Sequence, residues 1–264
     1  MQNRSILKNI KSMVLDMDGV LWRSSEPIGN LPELFHDIDK LGIRVAFATN
    51  NASLSVEQYM QKFFRFGLTI NPWQIVSSSL ATGAFLKEKF PSGGYVFVVG
   101  EKGLVDTMAD FGFIHAEEDV IAVIVGMDRT INYEKLFKAS KLIRNGALFV
   151  GTNPDSTYPT PEGLAPGAGS IVAAIQTASS VTPIIIGKPF PSIIRMAMDR
   201  LSTNETECLV VGDRIDTDIL AGKQAGCITA LMLSGVSKVE DLDNSTIKPD
   251  FIFNNLEELI QWMK

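Results

Sequence analysis

"VLDMDGVLW", Val14 to Trp22, decides how the chain is read. An apolar run ends in two carboxylates, Asp16 and Asp18, with Gly19 directly behind them. Two readings compete. Asp-Gly between apolar residues is a strong hairpin signal. Alternatively, the acids sit at the carboxyl end of a buried strand, where open parallel sheets place their ligands. In extended chain, residues two apart face the same side, about 6.6 Å from one another. The spacing also touches the calcium-loop pattern. In that register Val14 would be the first ligand and Ser25 the last, so an EF-hand fails.

The remaining strands weigh against the hairpin. "RVAFA", "YVFVV", "IAVIV", "ALFV", "PIII", "CLVV", "ITALM" and "FIF" are short and apolar on both faces, as strands covered by helices are. Amphipathic segments separate them. "LPELFHDIDKL" puts Leu34, Phe35, Ile38 and Leu41 on one helical face. "SVEQYMQKFFRFGL" begins after a serine cap and stops at Gly67, and the helix starting at Asn132 stops at Gly146. Strand–helix alternation predicts an α/β fold with a parallel, Rossmann-like doubly wound core. Four strands lead into polar loops: Asp16 to Gly19; Thr49-Asn50-Asn51; Gly187-Lys188-Pro189; and Gly212-Asp213-Arg214. Carboxylates, an amine, a hydroxyl and amides at strand ends suit an anion held through a divalent cation. The stretch between the second and third loops has its own strands and helices and is too long for a crossover. An α/β domain inserted at 81–184 is expected, with the core divided into 1–80 and 185–264.

Composition bounds the partners. The chain has 264 residues, 45% of them hydrophobic, and a formal charge of −6. A large core is available. An acidic chain without a basic run argues against nucleic acid or an anionic membrane. No stretch reaches the ~18 apolar residues of a membrane span. The N-terminal residues lack a secretory signal's apolar run and cleavage site, so a cytoplasmic protein is expected. Cys208 and Cys227, in apolar surroundings, read as buried free thiols.

Other motifs are weak. "GLAPGAGSIVAA" resembles a degenerate dinucleotide fingerprint, but reads as following a proline-rich loop. A closely packed helix start fits it better. "IIIGKPF" is not a P-loop, because Pro189 replaces the required Ser/Thr and Thr182 the first glycine. The only histidines, His36 on a polar helix face and His115 in an expected loop, read as solvated. Acid–base work therefore falls to carboxylates or lysine. Asp216 fits a helix start favoured by the dipole; Asp213, straight after Gly212, fits it less well.

Asp16-Met17-Asp18-Gly19-Val20, Thr49-Asn50-Asn51, Gly187-Lys188-Pro189 and Gly212-Asp213-Arg214-Ile215-Asp216-Thr217-Asp218 resemble, in order, the four motifs of the haloacid dehalogenase superfamily of phosphatases. The insert matches a C2-type cap. "TNPDSTYPTPEGLAPGAGSIVAAI" is similar to the cap segment of the NagD-like, p-nitrophenyl phosphatase branch. The resemblance implies a Mg²⁺-dependent phosphoric monoester hydrolase acting on small phosphomonoesters through an aspartyl-phosphate. It implies Asp16 as nucleophile, Asp18 as general acid and base, and Asp16, the Asp18 carbonyl and Asp213 as metal ligands. Asp218 would hold the metal's waters, Gly19 would let the backbone turn closely around the phosphate, and Thr49, Asn50 and Asn51 would line the phosphate site. Lys188 would neutralise charge. Asn153, Asp155 and Tyr158 are the cap's candidates for substrate contact. The oligomeric state is open, a homodimer among the options. A phosphotransferase on the same scaffold and a non-catalytic ligand-binding module are the alternatives.

Overall fold

The computed structural model describes residues 4–160 and 162–264. They form two compact units. Of the described residues, the first comprises 4–49, Tyr59–Val76 and Lys188–Lys264, and the second comprises Asn50–Gln58, 77–160 and 162–187.

The first unit is built on a six-stranded sheet. From one edge its strands are Phe251–Phe253, Ile228–Met232, Cys208–Gly212, Ser12–Leu15, Arg44–Thr49 and Ile75–Ser77. Strand Ser12–Leu15 pairs in parallel with Cys208–Gly212 on one side and Arg44–Thr49 on the other. Its four residues are all buried, because helices cover both faces. The chain leaves this central strand in one direction early and in the other late. The Asp16 loop therefore lies at a topological switch point. Helix Val56–Arg65 buries Tyr59 and Phe63, one turn apart. Phe63 packs edge-on against Trp22 at 5.0 Å and beside Phe47 at 4.4 Å, each aromatic pair adding about 0.5–1.5 kcal/mol.

The Asp18-Gly19 pair is not the tip of a hairpin. It lies in a compact turn, closed by Gly19 N–H to the Trp22 carbonyl at 2.7 Å and Leu21 N–H to the Met17 carbonyl at 2.9 Å. The hairpin comes just afterwards, with Trp22–Arg23 against Glu26–Pro27.

The second unit has its own five-stranded parallel sheet, ordered Ile184–Ile185, Leu148–Gly151, Ala122–Val125, Gly94–Val99 and Phe113–His115. Val99, Val123, Phe149, Ile143 and Ile175 share its core. Helix Tyr133–Arg144 is capped as its sequence predicts, the Asn132 side chain accepting from Lys135 N–H. Four expectations need correction. Ile184–Ile185 is not a core strand, since it pairs with Val150–Gly151 in the second unit. Lys188 therefore follows a strand of the second unit's sheet. Residues 50–58 and 77–80 also cluster with the second unit; Ser78 Oγ and Asn153 Nδ2 both donate to the Asn50 carbonyl there. The "GLAPGAG" segment follows strand Gly163–Pro166 of a short antiparallel hairpin, not a plain loop. Its glycines serve packing, because a Cβ on Gly167 or Gly169 would lie 2.3 or 2.2 Å from the Asp155 or Pro154 carbonyl oxygen. His115 is no simple solvated loop residue. It ends a strand, accepts from Val98 N–H at 3.0 Å and stacks near Phe97, and partial burial pulls its pKa below the ordinary range.

Cys208 and Cys227 are buried and free, as expected. Among the described residues, no helix is long and apolar enough to cross a membrane.

One buried acid braces the second unit. Asp128 accepts from Thr130 N–H, Thr130 Oγ1 and Lys135 Nζ, at 2.7–2.8 Å. Burial opposes its ionisation, but these donors prevail and hold its pKa below the usual carboxylate range. The contribution is full above that range and disappears as pH falls through the lowered pKa. Asp128→Asn should cost about 1–3 kcal/mol at pH 7. Urea unfolding of both proteins between pH 7 and pH 3 should show the gap closing towards the acid end.

Candidate active site

The first unit gathers the acids that the sequence singles out. Asp16 follows strand Ser12–Leu15, Asp213 follows Cys208–Gly212, and Asp218 lies in the helical turn Ile215–Ile219 beyond it. One carboxylate oxygen from each of Asp16, Asp213 and Asp218 lies within 4.8 Å of the others. Lys188 stands among them. Its Nζ donates to Asp16 Oδ1 at 2.5 Å, to Asp218 Oδ1 at 2.6 Å and to the Ala48 carbonyl at 3.1 Å. Its side chain is only 4% exposed, so it is not a solvated lysine ahead of a helix.

Electrostatics follow from burial. Desolvation opposes charge on Lys188, yet the Asp16 and Asp218 carboxylates overcome it and push the ammonium well above its ordinary range. Burial pushes Asp16 up; Lys188 opposes that, and Asp218 and Asp213 add repulsion. Asp213 is pushed up to about 7 by burial and by Asp218, although Val236 N–H donates to its Oδ2 at 2.7 Å. Three acids against one ammonium, two of them pushed towards their neutral forms by burial and mutual repulsion, are short of positive charge. Hard oxygen donors with that deficit fit a divalent cation such as magnesium.

The glycines shape this cluster. Gly19 has φ +89°, and a Cβ there would lie 2.4 Å from Asp213 Oδ2. A Cβ on Gly235 would lie 1.9 Å from the same oxygen and 2.3 Å from Asp213 Cβ. The crowding that Gly19 avoids thus comes first from Asp213. Ser234 Oγ ties the two loops together by donating to the Gly19 carbonyl at 2.7 Å.

Asp18 stands at the mouth, its side chain 45% exposed. Its Oδ1 accepts from Trp22 Nε1 at 2.9 Å, and Lys62 Nζ is 3.7 Å from the same oxygen. Thr49 is buried at the end of its strand and hydrogen-bonds the Tyr59 side chain, whose pKa burial pushes up. The sequence reading missed Trp22, Tyr59, Lys62 and the Ser234–Val236 loop. Tyr59 and Lys62, three apart on one helix, carried a periodicity signal but no motif. The loop carried none.

The other candidates lie in the second unit. Asn50 Nδ2 donates to both oxygens of Asp155, at 3.2 and 3.1 Å, and Asn153 Nδ2 donates to the Asn50 carbonyl at 2.7 Å. Asn51 is engaged locally, its Oδ1 accepting from Ser53 N–H and Oγ. Tyr158 is not among these contacts; its hydroxyl accepts from Arg129 Nε at 3.4 Å. Asp216 faces outward and accepts from Arg214.

Known proteins place this arrangement. A family model described as haloacid dehalogenase-like hydrolase matches residues 13–114, and a second, HAD-hydrolase-like, matches 185–259. The acid sugar phosphatase of Staphylococcus aureus is 34% identical over 255 residues, covering 96% of this chain and 98% of that one. The chain belongs to the haloacid dehalogenase-like hydrolases. Within that superfamily it stands in the NagD-like, p-nitrophenyl phosphatase branch and is a phosphoric monoester hydrolase. The 4-nitrophenylphosphatase of Thermotoga maritima superposes with a TM-score of 0.93 at 32% identity, covering 98% of this chain and 99% of that one. The glycerol phosphate phosphatase of Mycobacterium tuberculosis, solved in complex with magnesium, gives 0.88 at 31% identity, over 96% and 77% of the two chains.

Removing Lys188's charge isolates its structural part. Lys188→Met leaves Asp16 and Asp218 buried without their shared cation, and breaking such a pair costs about 3–5 kcal/mol. Urea unfolding at pH 7 in EDTA should show a loss of that size.

Proposed function

We propose that this phosphatase hydrolyses small phosphomonoesters with Asp16 as nucleophile and Asp18 as proton carrier. The observation that carries the reading is the buried set of Asp16, Asp213 and Asp218 with Lys188 bonded to two of them. Asp16, Asp213 and the Asp18 carbonyl would hold Mg²⁺, and Asp218 would anchor its waters and Lys188. The bound ion supplies positive charge that keeps Asp16 ionised and lets two anions approach.

The chain's own residues then do the following. An Asp16 carboxylate oxygen attacks phosphorus as the bond to the leaving oxygen breaks. Asp18 gives its proton to that oxygen and becomes a carboxylate. Water next attacks the aspartyl-phosphate phosphorus, returning a proton to Asp18 and freeing Asp16 and inorganic phosphate. Thr49 and Asn50 would donate to the transferring group, and Lys188 would offset its charge. Asn153 and Asp155 would act through Asn50, whose carbonyl and amide they hold. Asn51 would fix the loop, and Tyr158 is the remaining candidate for the leaving group. The inserted second unit, with its own core, is the cap of this reading and would choose the substrate. The likeness to an acid sugar phosphatase supports sugar phosphates within the class.

Purified protein should release nitrophenol from p-nitrophenyl phosphate with Mg²⁺ and stop in EDTA. Asp16→Asn should fall by at least about 10⁴-fold, as loss of a nucleophile does, with its circular dichroism unaltered. Turnover near wild type in that variant would overturn the assignment. A panel of sugar phosphates, nucleotides, phosphoglycolate and pyridoxal phosphate, ranked by kcat/KM, tests the substrate class. Asp18→Asn should slow an alkyl phosphate about 10²-fold or more, a general acid's share, and nitrophenyl phosphate by less. Equal losses on the two substrates would remove Asp18 from the acid role.

A further inference from the structure

We infer that Trp22 and Lys62 are positioning residues for Asp18, fixing which of its oxygens serves the leaving group. The inference rests on the reading of Asp18 as proton carrier. Its support is geometric and lies within the first unit.

Trp22 is completely buried. Its ring is wedged against Phe63 at 5.0 Å and Phe66 at 5.5 Å. Its backbone closes the turn that carries Asp18: the Trp22 carbonyl accepts from Gly19 N–H at 2.7 Å, and Trp22 N–H donates to the Met17 carbonyl at 3.3 Å. The indole Nε1–H is therefore a donor with little freedom to move. It points at Asp18 Oδ1 from 2.9 Å. Lys62 addresses the same oxygen from the helix, its Nζ 3.7 Å away and 4.2 Å above the centre of the Trp22 ring. The indole face thus helps hold the ammonium that faces Asp18.

Both donors converge on one oxygen, and the carboxyl is otherwise half-exposed and able to rotate. Oδ1 is committed as an acceptor, leaving Oδ2 to carry the proton. The proton passes from Oδ2 to the leaving oxygen as the P–O bond breaks, and Asp18 remains as a carboxylate whose Oδ1 is still held. Without the two donors the carboxyl would sample orientations in which neither oxygen faces the leaving group. The loss should grow with the need for protonation.

The test compares kcat on an alkyl phosphate and on p-nitrophenyl phosphate in Trp22→Phe and Lys62→Met. The first keeps a ring but removes the N–H. The second keeps a stem on a partly exposed helix face, so folding does not decide its outcome. Each should lose about ten times more on the alkyl ester than on the nitrophenyl ester, part of a general acid's share. Lys62→Arg should recover most of the loss. In an Asp18→Asn background, Lys62→Met should change alkyl-ester turnover by less than about twofold, because coupled residues are not additive. Equal losses on both esters, or full additivity with Asp18→Asn, would overturn the proposal. Wild-type protein without turnover on either ester would instead overturn the phosphatase reading beneath it.

Discussion

The site depends on one buried ammonium. Lys188 Nζ lies within 2.6 Å of the Asp16 and Asp218 carboxylates and opposes the burial that pushes Asp16 towards its neutral form. Its third contact, the Ala48 carbonyl, belongs to the neighbouring strand Arg44–Thr49. One cation thus joins the ends of the strands that start at Ser12 and Arg44 to the helical turn beyond Cys208–Gly212. Such a cluster is weak evidence for stability, because desolvation consumes most of the Coulomb gain. Its value is specific. It holds oxygens in place before any ligand arrives, and preorganised charge is what phosphoryl transfer needs most.

Glycine makes that density achievable. Asp213 is flanked by Gly19 and Gly235, and a methyl group at either position would overlap its carboxylate. Val236 N–H donates to that carboxylate, and the Ser234 hydroxyl ties its loop to the Gly19 carbonyl. The acid is therefore gripped by main chain. Asp18 is treated differently: it is half-exposed, next to an indole and an ammonium. Asp16, two residues before Asp18, is buried and bonded to Lys188, so two acids of one short segment meet opposite surroundings, as the proposed split into an attacking group and a proton carrier requires.

Much of this was legible in the residues and some was not. Strands apolar on both faces announced a covered parallel sheet, and Asp16, Thr49 and Asp213 were readable because each comes off such a strand. Lys188 was readable by motif, yet its local frame was misread. "PIII" looks like any core strand, and nothing in its composition says which sheet its hydrogen bonds join. Only the register with Val150 and Gly151 decides that. Asn50 likewise follows a core strand but bonds to Asn153 and Asp155, more than a hundred positions away. Trp22 and Lys62 were invisible for a related reason. A tryptophan and a lysine on an amphipathic helix have ordinary packing and solvation roles, and only three-dimensional convergence on one oxygen distinguishes them.

The joins between the two units fall in informative places. The chain passes from one unit to the other after Thr49, before Tyr59, after Val76 and before Lys188. Three of the four fall at Thr49, Tyr59 and Lys188, which are candidate site residues or bond to one. By compactness the second unit resembles an exchangeable cassette. By its splice points it is not. A chimaera that imports a foreign second unit would be cut beside three of the candidate site residues, so the graft would disturb the candidate site along with the unit exchanged. On the proposed reading, in which the second unit chooses the substrate, a new specificity is therefore better attempted by changing side chains inside that unit than by replacing it whole.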